Sequence, residues 1–99
     1  MANPLHNQVS LSSSAQQVDP QQTASGCTVF MIKAPLSNAQ PAFVGASTVT
    51  LSNGHQLDPG DQITYERDSQ TGQPQYQMRP SAFWVVGTSG DVVTWLALS

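Results

Sequence analysis

His55, Asp58 and Asp61 stand close together in the chain, and an imidazole oriented by a carboxylate is the base of many hydrolytic sites. Such a site needs the three side chains to converge. The same residues fall in Ser52-Asn53-Gly54-His55 and Asp58-Pro59-Gly60-Asp61, whose residue types are those of tight turns, so turn formation explains them without chemistry. Serines are abundant, but none sits in a nucleophile elbow, and neither His6 nor His55 has a cysteine beside it. A small hydrolase or metal-dependent enzyme using His55, Asp58 and Asp61 is therefore the last-ranked of three readings, and the expectation is that the chain is not an enzyme.

Other chemistries fare no better. Asp58, Asp61, Glu66 and Asp68 lie near one another in sequence, a grouping that suggests the paired carboxylates of a glycosidase, but they fall in turns and the sequence marks no aromatic-lined cleft, so a solvated polar face explains them. The histidines are far apart and the carboxylates lack the spacing of a calcium loop, so no metal and no cofactor is expected. Cys27 is the one cysteine; it excludes an internal disulfide framework and, beside the apolar run Val29 to Ile32, reads as a small buried hydrophobe. Gly45, Gly54, Gly60, Gly87 and Gly90 fall at strand ends and form no phosphate-cradling loop. Trp84 and Trp95 offer stacking area for a sugar ring or a partner's proline, although in apolar strands their default role is packing.

Composition narrows the partners. Lys33, Arg67 and Arg79 are the only basic residues against six acidic ones, giving a net charge of −3; nucleic acid, which needs cations along a phosphate track, is excluded as an expected partner. Charged residues make up 9% of the chain, far below the quarter usual in soluble domains, and uncharged Ser, Thr, Gln and Asn supply the polarity instead. Such a surface tolerates crowding and self-association. No stretch approaches the length of a membrane span, and the N-terminal residues have no signal-peptide pattern, so no membrane partner and synthesis in the cytoplasm are expected.

These residues must be positioned by short strands. From Met1 to Gly26 the apolar residues Leu5, Val9, Leu11 and Val18 are too sparse to enclose a core, so residues 1–26 are expected as an extended N-terminal arm and 27–99 as one β domain. Val9-Ser10-Leu11-Ser12 alternates with a strand's period, so this piece is expected either to order by pairing with the domain or with a neighbour, or to remain a flexible tail. Thr28 to Lys33 is apolar on both faces and reads as a central, doubly covered strand. Ala42-Phe43-Val44-Gly45 is a second strand, and Asn53-Gly54 supplies positive φ angles for a tight turn. Leu57, between turns, plugs the core; Gln62-Ile63-Thr64-Tyr65 is half-buried. Glu66 to Pro74, with Arg67 and Asp68, is an exposed tip, and Tyr76 and Met78 form a return strand. Phe83 to Val86 and Val92 to Leu98 form an antiparallel hairpin. No segment sustains a helical period, so the fold class is all-β: a small antiparallel β-sandwich or partly open barrel of about seven short strands.

The ordered series Ala42-Phe43-Val44-Gly45, Val49-Thr50, Ser52-Asn53-Gly54, Leu57, Pro59-Gly60-Asp61, Phe83-Trp84-Val85-Val86-Gly87 and Val92-Val93-Thr94-Trp95-Leu96 resembles a small β-rich structural protein of tailed bacteriophages. The resemblance spans Cys27 to Leu98 and departs from the pattern in the Gln-rich stretch Glu66 to Pro80. It implies a virion component made in the bacterial host cytoplasm. The leading expectation is a capsid cement or decoration protein on the exterior of the icosahedral shell, with the major capsid protein as partner and self-association possible. The arm residues Val9 and Leu11 and the tips at Asn53, Gly54, Arg67 and Asp68 are the expected partner contacts. The second reading is a tail, neck or fibre-associated module meeting the host surface through exposed Trp84, Tyr65 or Tyr76.

Overall fold

The computed structural model of the chain describes residues 5–21, 27–66 and 79–98. The strand Val92–Leu98 alternates in burial residue by residue, with Val93, Trp95 and Ala97 facing inward, as expected where one face of a strand meets a core. Seven more strands are arranged around it. They are β1 (Leu5–Ser10), β2 (Gln16–Gln17), β3 (Val29–Lys33), β4 (Ala42–Gly45), β5 (His55–Leu57), β6 (Gln62–Glu66) and β7 (Trp84–Val86), with Val92–Leu98 as β8.

The strands form two four-stranded sheets, ordered β1-β8-β3-β6 and β2-β7-β4-β5. Every pairing is antiparallel: β1 with β8, β2 with β7, β3 with β6 and β4 with β5. The first half of the chain thus runs back against the second as one long hairpin. Two further pairings, β3 with β8 and β4 with β7, roll that hairpin into a sandwich. This is the jelly-roll arrangement. The chain is all-β, a small antiparallel sandwich and not a closed barrel, with eight described strands where about seven were expected.

The core lies between the sheets. Phe30, Ile32, Val93, Trp95 and Ala97 of the first sheet face Ala42, Val44, Leu57 and Val85 of the second. Phe30 is the hub of its aromatic end: its ring centroid lies 4.9 Å from Phe83 and 5.9 Å, edge-on, from Trp95, while Tyr65 lies 4.8 Å from Phe83. Rings at such tilted or edge geometries are favourably paired.

Three expectations are corrected here. Residues 5–21 are not an arm outside the core: β1 pairs with β8 along its whole length, and Leu11 and Val18 are buried in the common core cluster. Leu11 seats where Gly87 has no side chain; a Cβ there would come 2.7 Å from Leu11 Cδ1. The Leu11 N–H donates to the Asp91 carbonyl, and the Ser12 carbonyl accepts from the Gly87 N–H, so this short stretch fastens both ends of the β7–β8 connection. Second, β7 and β8 are not a hairpin, since they lie in different sheets. Both strands find long-range partners on either side, which a mutual hairpin would deny them. Third, Gly54 is not a positive-φ turn residue; among the described glycines only Gly60 and Gly90 are. Gly54 is required by space, because a Cβ would come 2.6 Å from Val49 Cγ2 and 2.8 Å from Phe43 Cβ.

Polar side chains secure the crossover into β8. The Asn38 side-chain amide donates to the Val92 carbonyl at 2.7 Å and accepts from the Val92 N–H at 3.0 Å, imitating a strand neighbour. The Asp91 carboxylate accepts the backbone N–H groups of Ala39 and Gln40, each at 3.0 Å. Both side chains are buried, where unpaired backbone groups are costly.

Two outcomes follow. Leu11→Ala should destabilise the chain by about 2–5 kcal/mol in urea unfolding, the cost of a core cavity; an effect near zero would mean that residues 5–21 form a detachable arm. Asp91→Ala should cost about 1.5–3 kcal/mol, as expected for a buried, charged acceptor of two backbone hydrogen bonds, whereas a change at exposed Ser89 should cost almost nothing.

Candidate protein interface

The two outer faces of the sandwich differ. On the second sheet, the strand alternation that points Ala42 and Val44 inward points Phe43 and Gly45 outward. The loop at 46–54 folds over that side and buries Val49 there, in contact distance of the Gly45 and Gly54 positions. Val86, paired with Phe43, is almost fully buried although it stands outside the main core cluster. Asn53 holds this loop in shape: its Oδ1 accepts the Thr50 N–H at 2.7 Å and its Nδ2 donates to the Thr48 carbonyl at 3.4 Å.

No described element covers the first sheet's outer face. Its register fixes a grid of side chains. One row runs Gln8, Thr94, Lys33, Gln62; the next runs His6, Leu96, Met31, Thr64; a third joins Leu98, Val29 and Glu66. The two inner strands therefore present Val29, Met31, Leu96 and Leu98 as a half-buried apolar stripe, and the two edge strands rim it with polar side chains. Lys33 and Glu66 mark opposite ends. An open depression of about 460 Å³ lies across the grid, lined by His6, Gln8, Met31, Lys33, Gln62 and Leu96 among others. An apolar centre inside a polar rim is the anatomy of a protein interface.

The residues singled out in the sequence are scattered by comparison. Leu11 is 3% exposed and is not presented to a partner, whereas Val9 is half-buried and packs its side chain against the same core. Asn53 is exposed but engaged within its own loop, and Gly54 lies beneath Val49. Arg67, Asp68 and Tyr76 lie outside the described residues. Tyr65 is stacked into the aromatic cluster, and Trp95 is core, whereas Trp84 is half-buried on the outside of the second sheet. The Asp61 carboxylate accepts the Asp58 N–H at 3.1 Å, and Asp58 Oδ1 accepts from Gln56 Nε2 at 2.7 Å, so both carboxylates serve their turn. Among the described residues, no three His, Cys, Asp or Glu side chains gather as a metal site, and no helix is long and apolar enough to cross a membrane.

Sequence reasoning missed the stripe because it took strands that are apolar on both faces to be covered on both. The available signal was size: a chain of 99 residues folded as two layers leaves few residues for a third, and none of the described elements lies over β3 and β8.

No family model matches the chain, and no curated protein matches it. Among solved structures it is similar to a protein of Bacillus endospore appendages, described as a novel family of disulfide-linked pili, with a TM-score of 0.50 and 9% identity over 98% of this chain and 86% of that one. It is also similar to a de novo designed double-stranded β-helix, with a TM-score of 0.39 and 10% identity over 100% of this chain and 96% of that one. At this identity the first likeness is one of fold.

Burial raises the Cys27 thiol above its ordinary 9.0 and the Tyr65 phenol above its ordinary 10.0. The folded chain thus keeps protons that the unfolded chain gives up. This contribution to stability is intact below the ordinary values and is lost as pH rises from them through the raised ones. The melting temperature should accordingly fall above about pH 9, and less so in Cys27→Ala. The native thiol should react slowly with iodoacetamide and rapidly once unfolded; equal rates would contradict its burial.

Proposed function

We propose that this chain is a non-enzymatic virion structural protein of the capsid cement type, seated on the exterior of an icosahedral shell and bound to the major capsid protein. The observation that carries the reading is the stripe of Val29, Met31, Leu96 and Leu98 on the outer face of the first sheet, which no described element covers. Burying such a stripe against a shell subunit contributes roughly 25 cal/mol per Å² of apolar area. The surface is small, so the affinity of one copy is modest and repetition over the shell supplies the rest. The low charge of the chain allows copies to sit side by side.

The second reading is a tail, neck or fibre-associated module contacting the host surface, and the likeness in fold to a pilus protein favours it. Disulfide linkage of the kind described for those pili does not carry over. A chain with one cysteine has at most one intermolecular disulfide, which joins pairs but never a continuous series, and Cys27 is 4% exposed.

Quantitative mass spectrometry of purified virions separates the readings. Copies in simple ratio to the major capsid protein support cement; about a dozen per particle support the tail reading, and absence overturns both. Leu96→Lys and Met31→Lys should abolish incorporation while leaving the melting temperature within about 2 °C, because both side chains stand outside the core. Undiminished incorporation would remove the sheet face from the proposal.

A further inference from the structure

Strand β1 forms one edge of the four-stranded sheet. The Leu11 N–H bonds the Asp91 carbonyl at 2.9 Å, and this pair continues the register in which Val9 faces Val93 and Asn7 faces Trp95. Antiparallel ladders alternate, so Leu5, Asn7 and Val9 bond to β8, whereas the N–H and C=O groups of His6, Gln8 and Ser10 point away from the sheet. Native proteins ordinarily blunt such an edge with lysine, proline, a bulge or a short strand. The sequence Leu5-His6-Asn7-Gln8-Val9-Ser10 has no lysine, proline or carboxylate. Its one local protection is the Gln8 N–H, which donates to Asn7 Oδ1 at 2.8 Å. The other described edges differ: β2 and β5 are only two and three residues long, and β6 ends in Glu66.

We propose that β1 is a self-pairing edge, through which two copies of this chain join antiparallel about a two-fold axis at Gln8. A second copy fits because the strand is complementary to itself in that register. His6 faces Ser10 of the second copy, Gln8 faces Gln8, and Asn7 faces Val9, so no like charges oppose each other. About six inter-strand hydrogen bonds form across the axis. Two of them use the Gln8 N–H groups, each released from Asn7. The two sheets become one continuous sheet, and the two apolar stripes come to lie on a single face. As the form in which that face meets a shell, the dimer rests on the function proposed above; the pairing itself does not.

Sedimentation velocity over a concentration series of the full chain tests this, with three variants. The wild type should be a monomer–dimer equilibrium. Gln8→Pro should weaken the dimer about tenfold or more with an unchanged melting temperature, because the lost N–H points away from β8 and proline is tolerated on an edge. Gln8→Lys and Gln8→Glu should each be monomeric, and their mixture should restore a dimer, which a misfolded variant would not do. A wild type that remains monomeric to about 1 mM overturns the proposal, as does a dimer indifferent to Gln8→Pro and Gln8→Lys. Monomer in solution with abundant incorporation into virions would remove the pairing and leave the cement reading standing; a Gln8-dependent dimer absent from virions would do the reverse.

Discussion

Strand β8 is apolar on both faces, and that constraint governs the rest of the structure. A strand of this kind needs a neighbour along each edge and apolar company on each side. The edges are filled by β1 and β3, both from the first third of the sequence. The inner side is filled by folding the second sheet over Val93, Trp95 and Ala97. With those demands met, the described strands are all placed in the two sheets, and no described element covers the outer side of Leu96 and Leu98. Core and candidate interface are two faces of the same two strands, set in register by the same backbone hydrogen bonds.

The scarcity of charge has a structural counterpart. Where the chain crosses between sheets its backbone leaves the ladders, and polar side chains stand in for the missing strand. Asn38 does so for Val92, and Asp91 for Ala39 and Gln40. Short amides and carboxylates suit this work because they reach backbone groups a few atoms away with little conformational entropy to lose. Polar groups at Asn38 and Asp91 that read in the sequence as surface are therefore turned inward, toward the crossovers of a fold in which nearly every connection between described strands changes sheet.

What could be read from the sequence was what local pattern determines. Phe30 and Ile32 in β3, Leu57 between its turns, the alternation of Gln62 to Tyr65 and the burial of Cys27 all follow from period and flanking residues. What could not be read depended on distant partners. Leu11 and Val18 looked too sparse to matter because apolar density was counted, whereas each fills a single seat in a core built by other segments. Phe83 to Val86 and Val92 to Leu98 looked like a hairpin because they are adjacent and share a period; only the competing claims of β1, β2, β3 and β4 separate them. Asn53-Gly54 carries the dipeptide of a tight turn, but the glycine serves the approach of Val49 to Phe43. The candidate site was hidden for the same reason, since Met31 and Leu96 look like core until the number of layers is known.

A jelly roll by itself does not say what a protein does, because the architecture carries binding modules, enzymes and shell subunits alike. The argument turns on which spaces this chain has left open. Between the sheets, Phe30, Ile32, Trp95, Val85 and the residues around them fill the volume with side chains, and filled interiors pack too densely to admit a ligand without rearrangement. On the second sheet, the loop carrying Val49 occupies the outer face, at the expense of two positions that tolerate only glycine. That arrangement is costly in backbone entropy, and it covers one apolar face while the other is left without a described cover. A partner recognised through buried apolar area therefore has one broad described face available to it, and the row of backbone groups along β1 borders that face directly. Whatever extends the sheet at this edge also widens the stripe, so edge and face act together as a single surface.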